Sequence, residues 1–249
     1  MKITYIHHSS FLVELESVYL LFDYTEGTIP GMKREKPLLV LASHRHGDHY
    51  SPVIFDLIKE HGNVRFVLSN DIWRKRLPEE VLPLTDSLKH GETAKYRLEN
   101  GIIRQLTGTP ENQIEDGVIS GACLTIHTYK STDEGVAFLI EAEGKTIYHA
   151  GDLNNWRWEG EPDNWNDSMA KKYSAQIDKM AGMHLDVAFL PLDPRQEDDF
   201  YLGMDEFLHK VDVKHVFPMH CWGDYSVIGK IRALGCSAGY RDRIEEITG

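Results

Sequence analysis

The chain has 249 residues, with 27 Lys and Arg against 39 Asp and Glu, and a formal net charge of −12. This acidic balance excludes general nucleic-acid binding and attachment to anionic membranes, because both need a basic surface. Three scattered cysteines, Cys123, Cys221 and Cys236, exclude a disulfide framework and a C-x-x-C zinc site. The start has no signal-peptide pattern, and no apolar run is long enough to span a bilayer, so we expect a cytoplasmic protein.

Strand patterns dominate the first third of the chain. Short alternating or apolar runs predict a meander of strands at 3–6, 11–15 and 19–22. The continuous apolar run at 38–42 is typical of a strand buried on both faces. Ser51 and Pro52 then open a predicted helix that Gly62 closes. A strand at 64–68 and a short helix at 71–77 follow.

Strands alternate with helices in the rest of the chain. Strands are predicted at 102–106, 123–126, 136–141, 146–148, 186–192 and 214–218, and helices at about 168–180, 204–211 and 225–234. This order favours a layered α/β protein with helices outside the sheets. We find no domain boundary, so a single domain over 1–249 is expected. A polar, Trp-rich segment at about 153–183 interrupts it.

Histidine is unusually organised in this chain. The 13 histidines include an H-x-H-x-D-H motif that directly follows the buried strand at 38–42. His44 and His46 can converge on one ion from a turn, while Asp48 and His49 point to a second ion beside it. Neutral imidazole and carboxylate suit zinc, iron or manganese.

Three further segments end a strand-like run with His or Asp. They deliver His127 after 122–126, Asp152 after 146–151 and His220 after 214–219. In open α/β sheets, sites form beyond the carboxyl ends of the strands. These side chains are therefore expected to join the H-x-H-x-D-H motif at one sheet edge.

The ordered motifs resemble those of the metallo-β-lactamase superfamily. They are SHRHGDH, a single His127, HAGD ending at Asp152, and PMH ending at His220. The segments HHSSFLVE and GVAFLIEAEGKTIYHAGD are similar to the branch that contains ascorbate-6-phosphate lactonase-like proteins and many metal-dependent hydrolases. The resemblance covers essentially the whole chain and implies a four-layer αββα sandwich with one or two metals at the sheet edge.

The same resemblance implies a ligand for each metal position. One metal takes His44, His46 and His127, the other takes Asp48, His49 and His220, and Asp152 bridges both. Two divalent ions are expected. Zinc is the first candidate, and manganese and iron are the alternatives.

A metal-bridging hydroxide is the expected nucleophile, since metal coordination lowers the pKa of water to about 7. Asp48, His49 and Asp152 are the predicted catalytic residues. The predicted substrate is a small-molecule ester, lactone or phosphorylated sugar-like compound. Alternatives are a phosphodiesterase or nuclease with the same site, a non-catalytic metal-binding sensor or scaffold, and a redox di-iron role.

Five residues are candidates for substrate binding: His8, Arg45, Trp156, Arg157 and Arg195. Trp and Arg after the bridging aspartate could stack on or pair with a substrate. Alternatively, the tryptophans pack the segment onto its own domain or onto a second subunit, and Arg45 and Arg195 form solvated ion pairs. Whether the chain forms a homo-oligomer stays open.

Overall fold

The computed structural model describes residues 1–99, 101–106 and 122–248. Two mixed sheets form its centre. The first has six strands in the order β1-β2-β3-β4-β5-β6. They are β1 (Lys2–His7), β2 (Ser10–Glu14), β3 (Tyr19–Phe22), β4 (Leu38–Ala42), β5 (Val64–Ser69) and β6 (Thr85–Leu88).

The second sheet has seven strands in the order β13-β12-β11-β10-β9-β7-β8. They are β7 (Thr93–Glu99), β8 (Ile102–Gln105), β9 (Ala122–Lys130), β10 (Val136–Ala142), β11 (Lys145–His149), β12 (His184–Pro191) and β13 (Asp212–Met219). Four α-helices accompany the sheets: α1 (Leu57–Glu60), α2 (Asp163–Ile177), α3 (Leu202–Lys210) and α4 (Ser226–Ala233). None of the helices in the described residues is long and apolar enough to cross a membrane.

Aromatic side chains from the two sheets pack against each other in the core between them. The ring of Phe11 on β2 lies 4.3 Å from that of Phe189 on β12, and Phe22 on β3 lies 5.7 Å from the same ring. On the outer face of the second sheet, Tyr148 stacks on Phe207 of α3 at 5.0 Å. Burying such large apolar surfaces on both faces of each sheet is the main stabilising contribution in a fold of this type.

The first sheet is also covered on its outer face. Leu39 and Leu41 of β4 belong to the core between the sheets, whereas Leu38 and Val40 pack with Ile54 in a separate outer core. The prediction that this strand is buried on both faces is confirmed, because all five of its residues are buried. The layers are therefore helical turn, sheet, sheet and helices, and the expected α/β sandwich is confirmed.

Several strands end at one edge of the sandwich. β1, β3, β4 and β5 run in the same direction, and so do β9, β11, β12 and β13. Their carboxyl ends lead into the loops that begin at His8, Asp23, Ser43, Asn70, Ser131, Ala150, Leu192 and His220. This common direction brings residues that are distant in sequence to one place.

Some predicted elements differ from the structure. The helix expected from Pro52 to Gly62 is a 3-10 helix, Pro52–Asp56, followed by the single α-helical turn of α1. Only Arg74–Arg76 of the short helix expected at 71–77 is helical, again as a 3-10 turn. The α2 helix starts at Asp163, five residues before the predicted start. β6 and β7 were not predicted from the sequence.

Candidate metal centre

Four residues form what we call the buried ligand group: His8, Asp48, His49 and His220. One donor atom of each lies within 4.8 Å of the others. The three histidines are 7%, 0% and 2% exposed, in that order. Oδ2 of Asp48 lies 3.4 Å from Nε2 of His8 and 3.5 Å from Nε2 of His220. The group thus combines three imidazoles and one carboxylate.

Four further residues form the outer ligand group: His44, His46, Asp133 and Asp152. His44 and Asp152 are buried, but the side chains of His46 and Asp133 are 41% and 46% exposed. The His46 Nδ1 atom lies 3.1 Å from Nε2 of His44 and 3.6 Å from a carboxylate oxygen of Asp133. This group faces solvent on one side.

Asp152 lies between the two groups. Its Oδ2 atom is 3.3 Å from Nε2 of His44, and its Oδ1 atom is 3.1 Å from Nε2 of His49 and 3.5 Å from Nε2 of His220. Burial by itself raises the pKa of this carboxyl, but the neighbouring imidazoles of His49 and His220 and a hydrogen bond with His44 lower it well below its usual range. Asp152 is therefore a carboxylate at neutral pH.

Two buried aspartates orient the histidines of the buried group. Nδ1 of His49 lies 2.7 Å from Oδ2 of Asp23, and Nδ1 of His220 lies 2.9 Å from Oδ2 of Asp193. Burial opposes ionisation of Asp193, but hydrogen bonds from His220 and Arg195 lower its pKa to about 2. A carboxylate on Nδ1 places the ring proton there, which leaves the Nε2 lone pair facing the ligand group.

The backbone at this edge is held in an unusual conformation. Four non-glycine residues have positive φ here: His8 at 47°, Asp23 at 43°, His220 at 63° and Trp222 at 49°. Such conformations cost about 1–3 kcal/mol each and persist only where the surroundings impose them. Each follows or adjoins the end of a strand, so the turn that aims the side chain is the strained part.

Two glycines allow close packing behind the outer group. A Cβ atom at Gly135 would collide with the carbonyl oxygen of Ser43, and one at Gly151 would come 2.7 Å from the Ser43 side chain. Both glycines have positive φ, at 70° and 51°. The loop after β9 can therefore lie against Ser43, which brings Asp133 to His46.

The donor atoms fit a divalent cation. Four buried atoms, Nε2 of His8, His49 and His220 and Oδ1 of Asp152, have no hydrogen-bond partner among the described residues. Unpartnered buried polar atoms are rare in proteins and need an explanation. Because these four belong to ligand-type side chains that converge, a bound cation explains all of them. Nitrogen and oxygen donors without thiolate suit zinc, manganese or iron.

The structure brings six of the seven predicted ligands together and leaves His127 apart. His127 lies within β9, three residues before the strand ends at Lys130. Its Nδ1 atom is 3.0 Å from the Thr93 hydroxyl, and its Nε2 atom is 3.8 Å from Glu141. The expectation that His127 joins His44 and His46 is therefore corrected. Asp133, beyond the strand end, lies beside His46 instead.

Two of the predicted substrate residues are also placed elsewhere. Arg45 forms an ion pair with Glu134 at 2.5 Å and lines a separate groove with Trp73. Arg157 lies 3.2 Å from Asp199 and lines an acidic groove outside the ligand groups. Both arginines therefore form ion pairs. For Arg45, an ion pair was the alternative to substrate binding that the sequence left open.

A cleft of about 630 Å³ opens onto the ligand groups. Trp156 and Arg195, predicted to bind substrate, line it together with Trp158, Trp165 and Trp222. Trp156 is 6% exposed, and its indole N–H donates to the backbone carbonyl of Asp152 at 2.9 Å. This bond ties the start of the Trp-rich segment to the ligand turn. His8, the remaining candidate, belongs to the buried ligand group.

Cys221 follows His220 but is not suited to nucleophilic catalysis. Its side chain is 2% exposed, and burial raises the pKa of the thiol to about 12. The reactive thiolate is therefore negligible at neutral pH. This environment suits a small apolar side chain packed beside a ligand residue.

The sequence profile described as the beta-lactamase superfamily domain matches residues 2–159, more than half of the chain. The chain belongs to the metallo-β-lactamase superfamily. Within it, the chain falls in the branch of metal-dependent hydrolases. The UPF0173 metal-dependent hydrolase of Desulforamulus reducens is 28% identical over 88% of this chain and 84% of its own length. The UPF0173 metal-dependent hydrolase of Thermus thermophilus is 25% identical over 100% and 94%.

A solved structure shares the fold of this chain. The chain resembles Igni18, a metallo hydrolase from the archaeon Ignicoccus hospitalis, with a TM-score of 0.58. The two share 18% identity over 99% of this chain and 94% of Igni18. As a superfamily member of this branch, the chain is a metal-dependent hydrolase.

Several residues at the site were not predicted from the sequence, among them Asp23, Asp133, Asp193 and Trp222. Asp23 and Asp193 each follow an apolar strand run, at 19–22 and 186–192, so the rule applied to Asp152 and His220 also finds them. Asp133 gives no such signal, because Lys130, Ser131 and Thr132 separate it from the apolar residues. Trp222 lies two residues after His220, which is a weaker signal of the same kind.

Proposed function

We propose that the chain uses two divalent metal ions to hydrolyse a small neutral ester or lactone. Zinc is the first candidate for these ions. The buried and outer ligand groups would each hold one ion, and Asp152 would contact both. The observation that carries the proposal is the convergence of unpartnered Nε2 and carboxylate atoms at the floor of the cleft. When bound, such ions supply a Lewis acid and a water whose pKa is lowered towards neutrality.

The residues of the chain prepare this site before any substrate arrives. Asp23 and Asp193 hold the Nδ1 protons of His49 and His220, so both imidazoles present Nε2 in a fixed direction. The carboxylates of Asp48 and Asp152 are catalytic in this proposal because they contact the reacting centre. Preorganised groups of this kind lower a barrier because they need not reorient during the reaction.

The surroundings of Arg195 favour a neutral substrate over a phosphorylated one. Its Nε and Nη2 atoms lie 2.6–3.0 Å from the Asp193 carboxylate, so the guanidinium is already paired. Among the described residues that line the cleft, no other Lys or Arg is present. Apart from the metal ions themselves, a phosphorylated sugar would therefore find only the paired Arg195 as a cationic side chain for its doubly charged group.

Metal quantification combined with a substrate panel tests the proposal. The purified full chain is expected to carry two equivalents of divalent metal and to hydrolyse an ester or lactone faster than a phosphorylated sugar ester or bis-p-nitrophenyl phosphate. Turnover of the phosphodiester alone would identify a phosphodiesterase instead. A metal-loaded protein that hydrolyses none of the panel would support a sensor or scaffold.

Replacing the shared carboxylate gives the sharpest variant. Asp152→Ala, and the volume-matched Asp152→Asn, are expected to lower metal content and to reduce turnover by at least about 100-fold, because both ligand groups lose a donor. Asp186→Asn is the matched control, since Asp186 contacts Lys145 and Thr146 at the start of β12, away from the ligand end of that strand. Full metal content and full turnover in Asp152→Ala would refute the site.

A further inference from the structure

The tryptophans of this chain are concentrated in one cleft. Four of the five line the cleft beside the ligand groups: Trp156, Trp158, Trp165 and Trp222. Trp165 and Trp222 leave 37% and 47% of their surface exposed there. A group of exposed aromatic side chains in a concave site is typical of ligand recognition rather than of a solvated surface.

The aromatic faces extend outward from the ligand groups. The ring of Trp156 lies 5.4 Å from that of His220, and Trp158 stacks parallel to Trp156 at 5.9 Å with 4° between the planes. The Arg195 guanidinium lies 4.2 Å from the Trp222 ring and 5.8 Å from that of Trp158. The planar guanidinium therefore extends this aromatic lining across the cleft.

Away from the ligand groups, the described residues that line the cleft offer no free cation to an anionic substituent. Its acidic lining is Asp48, Asp133 and Asp152, which belong to the ligand groups, and its one Arg among the described residues is paired with Asp193. The part of the cleft that lies beyond the ligands thus offers π faces and no uncommitted cation. A planar, uncharged group is complementary to that lining.

We propose that this cleft binds the aromatic ring of a neutral substrate, an aryl- or arylalkyl-substituted ester or lactone. The ring stacks among Trp158, Trp165 and Trp222, while the carbonyl group reaches the ligand groups. The volume of about 630 Å³ is in the range of small-molecule sites. This inference rests on the proposed function for the reacting bond, but its recognition part is testable without turnover.

Calorimetric titration of the full, metal-containing chain with a matched pair of alcohols tests the recognition. 2-Naphthylmethanol and its saturated decahydro analogue have the same carbon skeleton, so they differ in the π system. We expect the aromatic alcohol to bind about tenfold more tightly than the saturated one. Equal affinity for the two alcohols would overturn the inference.

Variants locate the binding in the chain. Trp165→Ala and Trp222→Ala are each expected to weaken binding of 2-naphthylmethanol about three- to tenfold, the usual contribution of one aromatic pair. Trp73→Ala is the matched control, because Trp73 is also exposed, at 43%, but lies in the separate groove with Arg76. Unchanged affinity in the cleft variants, together with a shift in oligomeric state on sizing, would assign these tryptophans to a subunit interface instead.

The two proposals fail in distinguishable ways. Binding of the aromatic alcohol without hydrolysis of any ester or lactone would support aromatic recognition in the cleft and contradict the proposed reaction. Hydrolysis with no preference between the methyl esters of 2-naphthylacetic acid and decahydro-2-naphthylacetic acid, which share the leaving group methanol, would support the reaction and overturn the aromatic specificity.

Discussion

The buried and outer ligand groups differ in how firmly the chain holds them. His8, His49 and His220 of the buried group are at most 7% exposed, whereas the side chains of His46 and Asp133 in the outer group are 41% and 46% exposed. Both groups have nitrogen and oxygen donors in similar number. The difference therefore lies in the support behind the ligands and not in the ligands themselves.

The side chains that support the histidines are charged behind the buried group and neutral behind the outer group. The buried aspartates Asp23 and Asp193 contact Nδ1 of His49 and His220. In the outer group, Nδ1 of His44 lies 3.0 Å from the Ser43 hydroxyl, which itself donates to Asp23. Hydrogen bonds to charged partners are about twice as strong as neutral ones. We infer that the buried group is prepared before metal binding and that the outer group is completed by it.

Removing His8 is expected to have the largest effect on this comparison. His8→Ala deletes a ligand of the buried group and is expected to weaken the tighter-binding ion by more than about 100-fold, since even supporting partners contribute 10–100-fold. Competition with a chromogenic chelator measures the change. His127→Ala should leave metal affinity unchanged, because that ring faces Thr93 and Glu141. The reverse result, with His127 essential and His8 dispensable, would contradict the placement.

Replacing the supporting groups should have an intermediate effect. Asp193→Asn is expected to weaken the buried ion about 10- to 100-fold, because the asparagine is neutral and orients His220 less firmly. Ser43→Ala removes a neutral partner and should cost less than about tenfold. Chelator titration of both variants compares the two kinds of support directly. Equal losses would show that the charge behind the ligand does not matter.

The smallest effect is expected at Cys221. Because burial raises the pKa of this thiol to about 12, iodoacetamide at pH 8 should modify the exposed Cys123 and Cys236 and spare Cys221 until the chain unfolds. Peptide mass spectrometry after timed labelling measures this. Cys221→Ala should keep its metal and its turnover and lose about 1 kcal/mol of stability. Rapid labelling of Cys221 in the folded chain would show that the buried side of the site opens.

The strand predictions were reliable where the apolar runs were compact. β3 and β4 have the predicted bounds, and each continuous apolar run stops at a polar residue, Asp23 or Ser43. β9 was predicted to end near Ile126 but continues to Lys130, because polar residues such as Thr128 still pair with β10. That error placed His127 at a strand end, where a ligand would be expected. Because β9 continues to Lys130, the loop that follows this strand contains Asp133 and places it beside His46.

The sequence by itself determined the α/β class and the strand-end chemistry of this protein. Apolar runs followed at once by His or Asp identify His44, Asp152 and His220, because a buried strand must end where polar side chains can leave the core. Only the tertiary structure decided the complete ligand set. His8, Asp133 and the tryptophan cleft depend on which strands run together and on how the loops turn, and those are long-range properties that no local pattern encodes.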